Sequence, residues 1–141
     1  MTRSTLAELG DAPGSGQAPA HDHVTFRTAG GPPAAPLDVA EDFAGWLKGD
    51  AKAHGSRIKA RVHTSYSGAV TARVYWSGGR FHTVGFKSLA DGQLLARHNG
   101  AGGRALSRLL HDWLTATDRF TDPCWRTGDQ FRAGEPGQPT P

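Results

Sequence analysis

Arg57, Lys59, Arg61 and His63 occupy every second position of the stretch RIKARVHTSY, and Arg73 and Tyr75 repeat that spacing in VTARVYW. A period of two puts alternate side chains on one side of a β-strand. These cations and Tyr75 therefore share one face of a hairpin, and Lys87 extends it from the next segment. Guanidinium forks pair with phosphates or guanine edges, and a two- or three-stranded ribbon can enter a major groove. Aromatic rings among cations stack on unpaired bases instead. The chemistry of such a face is recognition of a polyanion.

A second candidate is NGAGGRALSR, residues 99–108. Here Gly102 and Gly103 precede an amphipathic helix that carries Arg104 and Arg108 on its first turns. Backbone N–H groups at a helix start attract anions, and the two arginines would reinforce them. The phosphate loop of nucleotide hydrolases is excluded, because it needs Lys and then Ser or Thr after its last glycine. Here Arg104 and Ala105 follow Gly103. A helix cap at Asn99-Gly100 and a flexible link would use the same glycines without any ligand.

Other reactive side chains form no recognisable constellation. His21 and His23 flank Asp22, but His63, His82, His98 and His111 are scattered. Without a Cys pair or HExxH spacing, no metal site is expected. Cys124 lies between Pro123 and Trp125 and reads as a buried structural thiol. No nucleophile–base pair or carboxylate dyad stands out, so the sequence points to a non-enzymatic protein with no cofactor.

The charge is segregated. Residues 1–50 hold three basic and seven acidic residues, 51–117 hold ten and two, and 118–141 hold three and four, giving +3 in all. A central block at +8 favours a polyanionic partner. The expected function is a small basic nucleic-acid-binding module, DNA ahead of RNA, acting as a regulator or accessory factor of a phage or mobile element. The alternative is a protein-interaction module (inhibitor, adaptor or assembly component) whose basic face meets an acidic protein. A single cysteine permits no internal disulfide, so a reducing, cytoplasmic location is expected. No apolar run suits a signal peptide or a membrane span. Arginine outnumbers lysine 12 to 4, a bias suggesting a bacterial or phage source. Oligomeric state is not legible.

The elements that must position these residues follow from periodicity. Residues 1–36 and 132–141 are Gly/Pro-rich and read as a disordered arm and tail around one domain, 37–131. Within the arm, Val24-Thr25-Phe26 is the one stretch able to add a strand. Asp38 and Glu41 resemble a capping box, and Val39, Phe43, Trp46 and Leu47 form one helical face ending between Gly49 and Gly55. A turn at Ser67-Gly68-Ala69 would set Val62 opposite Val74, His63 opposite Arg73 and Arg61 opposite Tyr75. A three-residue turn after Trp76 buries Val84 and Phe86 and puts Phe81 beside Tyr75. Asp91-Gly92 turns into a fourth strand in preference to a short helix. Leu106, Leu109, Leu110, Trp113 and Leu114 stripe a final helix of about four turns, with Trp113 packed on Val62, Val74 or Trp46. Phe120, Trp125 and Phe131 form an irregular apron. The fold class is α+β: a three- or four-stranded antiparallel meander with an N-terminal and a C-terminal helix packed on one face.

The element order over 37–117 resembles, in topology, the double-stranded-RNA-binding domain. That resemblance implies contact through the start of the last helix, where Arg104 and Arg108 stand. The lysine-rich signature of that family is absent from this sequence.

Overall fold

In a computed structural model that describes residues 21–76, 79–98 and 103–127, the alternating segments form a meander. Its strands are β2 (Lys59–Thr64), β3 (Val70–Tyr75), β4 (Phe81–Ser88) and β5 (Gln93–His98). Three turns closed by the same backbone bond set its register, the third also holding Asp91 at a φ of 59°. Ser65 N–H bonds to the Ala69 carbonyl, Trp76 to Arg80 and Leu89 to Gln93, each across a three-residue loop. The last loop residue in each has positive φ, and each is glycine: Gly68 at 92°, Gly79 at 85° and Gly92 at 78°. That position costs any residue with a Cβ, so glycine fixes where the loop ends.

This rule corrects the first hairpin. The loop is Tyr66-Ser67-Gly68, one residue earlier than expected, and the pairing slips by two. Thr64 faces Val70, Val62 faces Ala72, Arg61 faces Arg73 and Lys59 faces Tyr75. An odd loop preserves parity, so the apolar face survives, while Tyr66 is left at the exposed tip. The second hairpin pairs Tyr75 with Phe81 as expected and buries Val84 and Phe86. Asp91-Gly92 leads into β5, the fourth strand of the meander.

Two strands outside the meander enlarge the sheet beyond the expected count. β1 (His23–Thr28) lies between β5 and β6 (Phe120–Arg126), giving the antiparallel order β2-β3-β4-β5-β1-β6. Val24 and Phe26 are fully buried in β1, so this part of the supposed arm is an interior strand of the sheet. The supposed apron is the edge strand β6. Its alternation is broken at Asp122, with φ 58°, and by Pro123. With six strands and β1 inside the sheet, the topology departs from the double-stranded-RNA-binding domain. The rest of the expected arm (1–20), the tail (132–141) and Phe131 lie outside the described residues.

Both helices pack on one sheet face, as the apolar patterning requires. α1 (Pro36–Ala53) starts on Pro36 with Ala35 at its N-cap, so Asp38 is not the cap. Asp38 and Asp42 instead bind Arg119 at 2.8 and 3.0 Å, tying α1 to the start of β6. Those carboxylates raise the Arg119 guanidinium further above its ordinary value. α2 (Gly103–Ala116) drives Trp113, fully buried, into a ring cluster of Phe26, Phe43, Phe86 and Phe120. Val74 belongs to the same core, with Val62 and Trp46 packed against it, while Phe26 and Phe120 are contributed by the two added strands. The Trp113 indole N–H donates to Asp42 at 2.8 Å.

Candidate nucleic-acid interface

The sheet face turned away from the helices carries the alternating cations. Its rows follow from the register: Lys59–Tyr75–Phe81, then Arg61–Arg73–Thr83, then His63–Thr71–Gly85–Arg97. Lys87 stands across from Leu95. The Tyr75 and Phe81 rings lie 5.2 Å apart, tilted by 45°, and Phe81 is 46% exposed. The Arg73 guanidinium sits 5.3 Å from the Phe81 ring centre. Large aromatic surface is usually buried, so an exposed ring flanked by cations is an informative departure.

The electrostatics of this face are one-sided. β2, β3, β4 and β5 contain no Asp or Glu. Among the described residues, none of Lys59, Arg61, Arg73, Lys87 or Arg97 has a carboxylate at ion-pair distance. Like charges directly across a ladder are unfavourable, so the protein's own packing does not explain Arg61 opposite Arg73. In the helix layer, by contrast, arginines are matched: Arg119 with Asp38 and Asp42, and Arg108 with Asp112 at 3.2 Å.

The expected site residues therefore divide into two groups. Lys59, Arg61, His63, Arg73, Tyr75 and Lys87 are brought together on one face. Arg57 precedes β2 and lines a groove of about 980 Å³ with Lys48, Ile58, Lys59, Arg61 and Trp76. The glycine-stretch residues belong to the opposite layer. Gly103 opens α2 and Arg104 is exposed on its first turn, while Arg108 is largely covered and held by Asp112. Gly102 and the Asn99-Gly100 cap lie outside the described residues. One ligand lying flat on the sheet cannot use both groups, because the sheet itself separates them.

Sequence reasoning missed Arg97, which continues the row of His63 and Thr71. Its signal was the alternation of QLLARH, obscured by Leu95, which is buried on the cationic side. His23, Arg27 and Arg126 occupy the same side in β1 and β6, around the buried Thr25. Thr25 Oγ1 has no hydrogen-bond partner. Arg27 is engaged at the Asp91 carbonyl. The accessible part of the face is thus β2 to β4, with Arg97 at its border. Cys124, opposite Thr25, is half-buried and not enclosed as expected.

Histidines gather at the sheet end where β1 begins. His98 is buried, its Nε2 lies 3.3 Å from Ser107 Oγ, and Ser107 donates its own proton to the His21 carbonyl. A serine whose proton is committed to a carbonyl is not activated by the imidazole beside it. Burial pushes His98 below the usual imidazole range, against the pull of the His21 carbonyl and the Asp22 carboxylate. Among the described residues, no three His, Cys, Asp or Glu side chains converge as metal ligands. No described helix is long and apolar enough to cross a membrane.

No protein-family model, curated protein or solved structure is significantly similar to this chain.

Proposed function

We propose that this protein binds single-stranded nucleic acid on the face of β2, β3 and β4, without catalysis and without a cofactor. The observation that carries the reading is the unneutralised Arg61–Arg73 pair beside the exposed Phe81 ring and its half-buried neighbour Tyr75, on strands devoid of acids. The cations would track phosphates, and the rings would stack bases, at about 1–3 kcal/mol per base. Sheet width favours single strands over duplex in this reading. Six strands at about 4.8 Å spacing make a face about 24 Å wide, against a major groove of about 12 Å. This width supports a platform for unpaired bases over the groove-entering ribbon suggested by two or three strands.

Fluorescence anisotropy with labelled oligo-dT, oligo-rU and a duplex of equal length, at two salt concentrations, tests the reading. Single strands should bind more tightly than duplex, with log K falling by about 0.7 per phosphate neutralised as log salt rises. Preference for duplex, or no binding below physiological salt, would refute it.

A further inference from the structure

The two edges of the sheet are built differently. On β6 the register shifts between Thr25 and Arg27 of its partner, Asp122 takes positive φ, and Pro123 interrupts the strand. Bulges and prolines of this kind blunt an edge against further pairing. β2 has none of these devices. It pairs residue by residue with β3 from Lys59 to Thr64 without a break.

The direction of its free groups follows from the turn. Ser65 N–H bonds to Ala69 C=O, and bonded pairs in an antiparallel ladder alternate. His63, Arg61 and Lys59 therefore bond to β3. The N–H and C=O groups of Ala60, Val62 and Thr64 point out of the sheet. No other described backbone group bonds to them. The side chains of Ala60 and Val62, with Ile58 before them, are only half covered, and they border the core. A groove at the start of β2 is lined by Ile58, Lys59, Ala60 and Arg61 together with Tyr75 and Trp76, and Lys48 and Arg57 add charge there.

We propose that β2 accepts an extended segment of an acidic protein partner as a seventh strand. Strand addition takes affinity from main-chain hydrogen bonds and specificity from alternate side chains. One side of the added strand would face Lys59, Arg61 and His63, which select carboxylates. The other would cover Ala60, Val62 and Ile58, which select apolar side chains. The partner is thus a segment alternating acidic and apolar residues. A second copy of β2 is disfavoured, because it would bring lysine and arginine beside their like. This edge site does not depend on the nucleic-acid reading. The two share Lys59 and Arg61, so an added acidic strand would compete with an oligonucleotide.

The test uses the isotope-labelled full chain and a capped peptide of about seven residues alternating Glu and Val. The amide signals of Ala60, Val62 and Thr64 should shift, and their hydrogen exchange should slow by about tenfold or more. A Lys/Val peptide should not bind. Methylating the peptide's backbone nitrogens on its pairing edge should weaken binding by about tenfold or more, with the protein left unaltered. Arg61→Glu should weaken the Glu peptide and admit the Lys peptide. Equal binding of the methylated peptide, or shifts confined to Tyr75, Phe81 and Arg73, would overturn the proposal in favour of loose charge attraction. Dimerisation through β2 without peptide would overturn it too. Loss of oligonucleotide binding, with these peptide results intact, would strike only the nucleic-acid reading.

Discussion

Arg61 and Arg73 stand directly opposite each other on β2 and β3, and no described carboxylate neutralises either. A cross-strand arginine pair lowers the stability of the free protein and favours any anion that joins it. Arg61→Thr should therefore raise the unfolding free energy by about 0.2–1 kcal/mol. It should also weaken oligonucleotide binding and flatten its salt slope by about 0.7–1 unit. Urea melts and anisotropy on one preparation check both signs. Loss of stability together with unchanged binding would show a structural role for Arg61.

Trp113 gathers Phe26, Phe43, Phe86 and Phe120 from both halves of the fold. Trp113→Ala should cost about 3–5 kcal/mol, through the cavity it leaves. Trp113→Phe should cost less, mainly the hydrogen bond to Asp42. Chemical denaturation ranks the two, and equal effects would place the Asp42 bond above packing.

A chain beginning at Pro33 lacks β1. It should not fold, because removing an interior strand strips β6 of its partner, leaves β5 paired on one side only and takes Val24 and Phe26 from the core. Circular dichroism and a flat thermal melt would report this. A cooperative melt from the truncated chain would show that β1 is dispensable.

Stability should fall as pH drops below about 6.5, the ordinary imidazole value. Folded His98 is depressed by burial, with His23 and His82 adding to that effect and Asp22 and the His21 carbonyl opposing it. Below that pH the unfolded chain binds the proton more readily, so acid favours unfolding. Above it, both states hold a neutral imidazole and the contribution is flat. Urea midpoints measured from pH 8 to 5.5 should decline, and His98→Gln should reduce the decline. A parallel decline in the variant would assign it to other histidines.

The meander, both helices and the shared face of Lys59, Arg61, His63, Arg73 and Tyr75 were legible because alternation and helical stripes survive any even shift of register. The register itself depended on Gly68, whose positive φ ends the first loop, and a glycine in the middle of SGA reads equally well as a mid-turn residue. β1 was hidden because six strand residues sit in Gly/Pro-rich surroundings, and its stability comes from neighbours about 70 and 100 positions away. β6 was hidden by its own bulge at Asp122. That the two candidate anion sites lie on opposite sides was not legible, because the sequence does not show that the sheet lies between Arg73 and Arg104.

Amide shift mapping of the labelled chain with a short oligo-dT tests the central claim most directly. Signals from Arg61, Arg73, Tyr75, Phe81 and Thr83 should move together and saturate, while those of Arg104 and Ser107 at the start of α2 stay in place. Shifts centred on Arg104, or none on β2 to β4, would contradict a sheet-borne nucleic-acid site.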